Sequence, residues 1–130
     1  MSWKTARALV DRAAVEQAMI TTHVLDTSTG RPAAQVAVVL ERDRGHAAWE
    51  LVGRGETDGD GRLRTLMPDG TSITPGIYRL TFDTRRYFDR ARLATFYPQI
   101  AIVFEALPGE AHYHVPLLVS PFGYSTYRGS

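Results

Sequence analysis

The sequence predicts an all-β fold: a sandwich of two antiparallel sheets, built from seven to eight short strands, with one short helix. The first observation behind this prediction is the alternation of apolar and polar residues with period two in several short segments, which is typical of half-buried strands. The second is the regular occurrence of Gly, Pro, Asp and Ser between those segments, where turns are expected. The third is a single segment, residues 85–93, whose apolar residues have helical spacing.

Composition indicates one globular domain. The chain has 130 residues, of which 44% are hydrophobic and 22% are charged, and this length is sufficient for one hydrophobic core. A net charge of +1 produces no field that would recruit nucleic acid or an anionic membrane. The chain contains no Cys, which excludes disulfides, thiolate nucleophiles and Cys-ligated metals. No apolar run reaches the roughly 18 to 20 residues of a membrane span, and the N-terminal region lacks the apolar core of a secretory signal, so we expect a cytoplasmic location.

The N-terminal residues 1–19 differ in composition from the rest and are predicted to be an extension that precedes a domain at residues 20–130. They contain no Gly or Pro, and several of their apolar residues fall on one side of a short helix. Three interpretations stay open: a loosely ordered extension, a helix that packs on a neighbouring subunit, and a true start at Met19 rather than Met1.

Eight segments are predicted as strands, and the first of them has two distinct faces. Ile20 and Val24 lie on one face, while Thr21, His23 and Leu25 lie on the other, because side chains alternate along a strand. The predicted strands are residues 20–26, 36–42, 49–52, 63–67, 76–82, 99–106, 112–119 and 124–127.

The helix and one turn have recognisable local signals. Residues 85–93 follow Asp83 and Thr84, either of which can cap a helix N-terminus, and Pro98 cannot lie inside a continuation of that helix. Residues 57–62 contain Asp-Gly twice, which predicts a tight turn. The turn resembles part of a calcium-binding loop, but the twelve-residue ligand spacing is absent, so we predict no calcium site there.

The last nineteen residues carry the most specific pattern in the chain. Residues 112–130 combine an alternating strand, a Ser-Pro-Phe-Gly turn and the terminal Tyr-Arg-Gly-Ser. This stretch, together with the His-Val-Leu-Asp at residues 23–26 and the Asp-Gly turn before Arg62, resembles the 5-hydroxyisourate hydrolases, the transthyretin-related enzymes of purine breakdown. The resemblance covers about residues 20–130, and it implies the transthyretin-like version of the two-sheet sandwich.

Without the resemblance, the polar residues of these segments have ordinary structural interpretations. A strand histidine such as His23 is usually solvated, an arginine after a turn such as Arg62 usually lies on the surface, and a terminal serine is often disordered. The resemblance implies instead that His23, Arg62 and His114 are catalytic, and that Tyr127, Arg128 and Ser130 bind substrate.

Three neighbouring residues need separate treatment. Arg64 would share a strand face with Arg62 and could be confused with it. His112 precedes the catalytic position by two residues, and we expect it near the beginning of the strand. Pro116 has no N–H to donate, so we expect it to face an edge or a bulge of the sheet.

The implied reaction is the hydrolysis of 5-hydroxyisourate to 2-oxo-4-hydroxy-4-carboxy-5-ureidoimidazoline, by opening of the six-membered ring at an amide carbon. Histidines suit acid and base roles because their unperturbed pKa is near neutral, and an arginine can hold carbonyl oxygens and stabilise an oxyanion. We therefore expect His23 and His114 to position and deprotonate water, with Arg62 orienting the substrate. The sequence leaves open which histidine is the base.

No cofactor and no metal are predicted, because the chain has no Cys and no His-Glu-x-x-His spacing. The resemblance implies a homotetramer whose sites open at the dimer–dimer interface. The strand faces agree with this expectation, since His23 and His114 lie beside apolar Leu25 and Leu118 on a sheet face that a partner would cover.

Two other functions remain as alternatives. One is a transthyretin-like carrier that binds a small aromatic ligand without turning it over, and the other is a non-catalytic sandwich module of an adhesion or carbohydrate-binding protein. Transthyretin itself lacks the two histidines, the arginine and the Tyr-Arg-Gly-Ser ending, all of which this sequence contains, and this difference favours the enzyme.

Overall fold

A five-stranded sheet and a four-stranded sheet face each other across a shared core. The structure is a computed structural model and describes residues 19–130, so the helix suggested for the N-terminal extension lies outside the described residues. Met19 is already part of the first strand. The strands are β1 (Met19–Asp26), β2 (Arg31–Pro32), β3 (Ala37–Asp43), β4 (Trp49–Glu56), β5 (Arg62–Leu63), β6 (Gly76–Phe82), β7 (Ile100–Ala106), β8 (His112–Ser120) and β9 (Gly123–Thr126), and the helix is α1 (Thr84–Arg90).

The first sheet has the strand order β2-β1-β8-β9, with β5 also paired to β1, and the second has the order β4-β3-β6-β7. The predicted sandwich is confirmed, but one strand pair departs from the prediction of antiparallel sheets. β1 and β8 run parallel, in register from Met19 opposite His112 to Asp26 opposite Val119. These strands lie 93 residues apart in the chain, so no hairpin turn was present to indicate their direction.

The core lies between the inner faces of the two sheets. Burial alternates along β1, where Ile20, Thr22, Val24 and Asp26 are buried and the residues between them are less so, which confirms the predicted faces. From the second sheet, Leu80 and Phe82 are fully buried against them. Each such side chain contributes about 1.5–3 kcal/mol relative to an exposed position.

Strand β4 is longer than the predicted residues 49–52, because it continues through two glycines. A Cβ atom at Gly53 would lie 1.7 Å from the carbonyl oxygen of Leu66, and one at Gly55 would lie 2.9 Å from Leu63 Cδ1. Glycine within a strand often marks such a close approach rather than the end of the strand. The segment after β5 therefore packs directly on β4. The strand predicted at residues 63–67 is wrong beyond Leu63, because residues 64–67 are not in a strand.

Helix α1 confirms the predicted helix, although it ends earlier. Asp83 accepts a hydrogen bond from the N–H of Arg86 at 3.1 Å and caps the N-terminus. The helix ends at Arg90, because Arg92 adopts a left-handed φ of 57° that a helix cannot continue through. Tyr87 of α1 donates to a carboxylate oxygen of Asp26 at 2.8 Å, which ties the helix to the end of β1. Among residues 19–130, no helix has the length and apolarity needed to cross a membrane.

Candidate functional site

An open groove of about 920 Å³ lies on the outer face of the first sheet, next to the C-terminus. β1, β5, β8 and the residues after β9 form its walls, so it gathers segments from both ends of the domain. Its polar lining includes Thr21, Arg62, Arg64, His112, His114 and Ser130.

Strand register brings the predicted catalytic residues to one region of this face. His114 of β8 is the register partner of Thr21 in β1. His23 lies two residues further along β1, about 7 Å away on the same face, and its partner in β5 is Arg62. The structure therefore places His23, Arg62 and His114 on adjoining strands, with His23 beside the groove rather than in its lining.

The Asp-Gly turn is what positions Arg62. Asp58 accepts hydrogen bonds from the N–H groups of Asp60 at 2.8 Å and of Arg62 at 3.0 Å. The Arg62 N–H is also the main reason that the pKa of Asp58 lies below its usual value. Gly61 has a φ of 74°, and a Cβ atom there would come within 2.4 Å of the carbonyl oxygen of Val24. The turn therefore needs a glycine at this position to pack against β1. This contact fixes the position of the Arg62 backbone beside His23.

Two residues that the sequence analysis did not single out hold the His114 ring. Thr21 Oγ1 lies 2.8 Å from His114 Nδ1. Gly129 donates its N–H to the His114 carbonyl at 2.8 Å, and a Cβ atom at Gly129 would lie only 2.5 Å from His114 Cδ2. The available signals were that Thr21 shares a strand face with His23, and that a glycine stands inside the terminal motif.

The electrostatic environment keeps His114 neutral. Burial lowers the pKa of His114 below the ordinary value of 6.5, and the positive charges of Arg62, His23 and Arg64 lower it further. A histidine with this pKa is unprotonated at neutral pH and can therefore accept a proton.

The C-terminal residues are held over the groove. Arg128 Nη2 lies 3.4 Å from a carboxylate oxygen of Glu110, and the Arg128 guanidinium lies 4.9 Å from the centre of the Tyr113 ring. The ion pair is exposed and contributes at most about 1 kcal/mol, but it guides the chain to the contact between Gly129 and His114. Ser130 then reaches the groove lining.

Pro116 explains why the chain leaves β9 before it reaches the groove. The β8–β9 pairing runs from Ser120 to Leu117 and resumes in the same register at a single bridge between His114 and Gly129. Pro116, between these points, has no N–H, and its carbonyl accepts instead from Thr126 Oγ1 at 2.7 Å. Pro116 was expected at an edge or a bulge of the sheet; it lies instead at a gap in the β8–β9 pairing, inside a strand that stays paired with β1 on its other side.

Tyr127, like His23, is a predicted site residue that does not line the groove. It is 59% exposed and lines a separate, mainly apolar depression of about 250 Å³ with Val103, Phe104 and Val115. Arg128 borders both cavities. His112, at the start of β8, is exposed at the groove as expected.

The charged groups of the groove suit a planar ligand that is rich in carbonyl oxygens or negatively charged. Among the described residues, three arginine side chains line it, Arg62, Arg64 and Arg128, against one side-chain carboxylate, that of Glu110. Arginine side chains present several donors in a plane, which match such oxygens. Within residues 19–130, no group of three or more His, Cys, Asp or Glu side chains is arranged to hold a metal ion.

Known proteins of two kinds resemble this chain. A 5-hydroxyisourate hydrolase of Salmonella dublin is 46% identical over 112 residues, which cover 86% of this chain and 81% of that protein. The structure of the Klebsiella pneumoniae 5-hydroxyisourate hydrolase is similar with a TM-score of 0.76 and 37% identity, covering 87% of this chain and 99% of that one. Transthyretin from Sparus aurata is similar with a TM-score of 0.78 and 31% identity, covering 85% of this chain and 95% of that one.

These similarities confirm the transthyretin-like sandwich, but the fold alone does not separate hydrolase from transthyretin, because both kinds of structure match it equally well. The distinction must come from the residues of the groove. The family described as "HIUase/Transthyretin family" matches residues 20–129, which is nearly the whole part of the chain that the structure describes. This chain therefore belongs to the HIUase/Transthyretin family.

Proposed function

We propose that this protein is a 5-hydroxyisourate hydrolase, which converts 5-hydroxyisourate to 2-oxo-4-hydroxy-4-carboxy-5-ureidoimidazoline in urate degradation. The observation that carries the proposal is the meeting of His23, Arg62 and His114 on adjoining strands, with the C-terminal residues packed on the His114 ring. The Salmonella and Klebsiella relatives are 5-hydroxyisourate hydrolases by name, which supports the same reaction.

In the proposed mechanism His114 is the general base. Its lowered pKa keeps the ring neutral, so it can take a proton from a water molecule as the water oxygen attacks the ring amide carbon. The negative charge that develops on the carbonyl oxygen is stabilised by donors of Arg62. The carbon–nitrogen bond then breaks, the ring opens, and the leaving nitrogen takes up a proton, and we assign the donor role to His23.

The remaining predicted binding residues have unequal support. Ser130 lines the groove, and Arg128 borders it, so we keep both as substrate-binding residues. Tyr127 faces a different depression, so within a single chain it does not reach the groove. It could contact substrate only in the groove of a neighbouring chain. We therefore propose that Tyr127 acts in an assembly of several chains.

That assembly is proposed to be a homotetramer with the grooves at the dimer–dimer interface, and its location is proposed to be cytoplasmic. The open groove and the exposed aromatic residues near the β8–β9 turn, Phe122 and Tyr124, support burial against partners. Light scattering at micromolar concentration should give the mass of four chains, and a monomer would contradict the proposal.

A transthyretin-like carrier remains the second candidate, because the fold of the Sparus aurata transthyretin matches as well as that of the hydrolase. A carrier would bind its ligand without changing it. The groove's cationic and imidazole groups favour the enzyme, since a carrier of an apolar aromatic ligand has no need to bury them.

The test is an ultraviolet time course in which urate oxidase generates 5-hydroxyisourate, whose decay is followed with and without this protein. The hydrolase should accelerate the decay well above the spontaneous rate. Decay at the spontaneous rate, from protein whose folded state is confirmed by circular dichroism, would overturn the proposal and favour the carrier.

A further inference from the structure

Thr21 and Thr22 are adjacent residues of β1 that contact β8 in different ways. Thr22 is buried and donates to the carbonyl of Val115 at 2.7 Å, so it joins the two strands on the core side. Thr21 lies on the outer face, lines the groove, and places its hydroxyl oxygen 2.8 Å from Nδ1 of His114. The hydroxyl of Thr21 thus contacts a proposed catalytic ring rather than the backbone.

This contact determines which ring nitrogen His114 can use. A neutral imidazole has one N–H donor and one acceptor nitrogen. Because Nδ1 is engaged by Thr21, Nε2 is the nitrogen that remains for a water molecule in the groove. Nε2 can act as a base only when the proton is on Nδ1, and in that tautomer Nδ1–H donates to the Thr21 oxygen.

The opposite edge of the ring is held by Gly129. A Cβ atom at this position would lie 2.5 Å from Cδ2 and 3.1 Å from Cγ of His114, so the backbone of the C-terminal segment lies directly against the ring. A half-turn of the ring would exchange Nδ1 with Cδ2 and lose the hydrogen bond to Thr21. The two contacts therefore favour a single orientation of the imidazole.

We propose that Thr21 is a positioning residue, whose hydroxyl accepts the Nδ1–H of neutral His114 and so leaves Nε2 unprotonated towards the groove. The inference rests on the proposed function for the reaction that Nε2 serves, whereas the tautomer is a property of the resting protein. The lowered pKa of His114 agrees with it, because the ring is then neutral at the pH where the tautomer matters.

The first test is nitrogen-15 NMR of the full chain above pH 7. The ring signals of His114 are identified by their loss in His114→Ala. We expect Nδ1 to be protonated and Nε2 unprotonated in the unsubstituted protein, and we expect a mixture of tautomers in Thr21→Val. Protonated Nε2 in the unsubstituted protein, or unchanged ring signals in Thr21→Val, would overturn the inference.

The second test is turnover of 5-hydroxyisourate by two variants of Thr21. Thr21→Val keeps the shape but removes the hydroxyl, and we expect kcat to fall about threefold to tenfold with little change in KM. Thr21→Ser retains the hydroxyl and should recover most of the loss. Equal losses in the two variants would contradict a positioning role of the hydroxyl.

A matched control is Thr81→Val, which makes the same substitution on the outer face of the second sheet. It should leave kcat unchanged, and a loss equal to that of Thr21→Val would assign the effect to the substitution in general. If the unsubstituted protein does not hydrolyse 5-hydroxyisourate at all, the proposed function fails, while the NMR measurement still decides the tautomer.

Discussion

The outer faces of the two sheets both carry polar side chains on neighbouring strands, but the charged side chains are arranged differently on each face. On the second sheet, Arg79 of β6 is the register partner of Glu41 in β3. Its guanidinium donates twice to one carboxylate oxygen, at 2.8 and 3.2 Å, and lies 4.2 Å from the centre of the Trp49 ring. The charge on this face is therefore matched by an opposite charge and covered by an aromatic ring.

On the first sheet, groups of the same sign lie together. Burial lowers the pKa of His114, and the charges of Arg62, His23 and Arg64 lower it further. The side chain of Glu110 in the groove is paired with Arg128. Holding like charges together costs stability, and perturbed titration is typical of functional sites. Among the described residues, charge is therefore matched on the outer face of the second sheet, whereas positive side chains are in excess on the outer face of the first.

The largest effect in the groove, apart from loss of the base, should come from Arg62. Arg62→Gln keeps a polar side chain but removes the positive charge and its fork of donors. Loss of one oxyanion donor typically costs about a hundredfold to a thousandfold in kcat, so steady-state kinetics should show a loss in that range. A change in KM alone would limit Arg62 to binding.

Gly129 should come next. Gly129→Ala places a Cβ atom 2.5 Å from His114 Cδ2, which displaces the ring, and a displacement of about 1 Å can cost up to a hundredfold in rate. We expect kcat to fall about tenfold to a hundredfold while the thermal unfolding temperature changes little. Gly123→Ala is the matched control in the same hairpin, since its Cβ would meet Ser120 Oγ at an ordinary 3.6 Å. Equal activities of the two variants would contradict the contact.

The pH dependence should report the like charges around His114. The base must be neutral, and burial followed by the charge of Arg62 lowers its pKa below 6.5. As pH falls, kcat/KM, which reports the ionisation of the free enzyme, should therefore persist through pH 6.5 and decline only as the pH passes the lowered value. In Arg62→Gln the decline should begin at a higher pH, because one source of the lowering is removed. An unchanged pH profile in that variant would separate Arg62 from His114.

The smallest effect is expected on the second sheet. Glu41→Gln removes the charge that pairs with Arg79, and a partly exposed ion pair contributes about 0.2–1 kcal/mol. Urea unfolding should show a loss of that size in the free energy of unfolding, with kcat unchanged. A large loss of activity would mean that the second sheet takes part in the reaction, contrary to the comparison.

Local patterns predicted most of the fold, whereas long-range contacts did not follow from them. The alternation of residues correctly predicted which side chains of β1 are buried, and Asp83 was correctly predicted as a helix N-cap. The parallel pairing of β1 with β8 was missed because it joins segments that are far apart in the chain. β4 was predicted to end at Val52, but it continues to Glu56 through Gly53, which marks a close backbone approach.

The site divides in the same way. The resemblance named His23, Arg62 and His114 as a set, and strand register then explains how they meet. Thr21 and Gly129 escaped notice because their significance lies in contacts with the His114 ring, which only the folded chain creates. Residue type alone does not distinguish a threonine that orients an imidazole from one that faces solvent.

The central claim, that the first sheet's outer face is a hydrolytic site built around His114, is tested most directly by turnover of His114→Ala in the 5-hydroxyisourate decay assay. His46→Ala, which removes an imidazole from the exposed loop between β3 and β4, is the matched control. The account predicts a loss of at least about a hundredfold for His114→Ala, with the fold intact and His46→Ala unaffected. Near-normal turnover in a folded His114→Ala variant would contradict it.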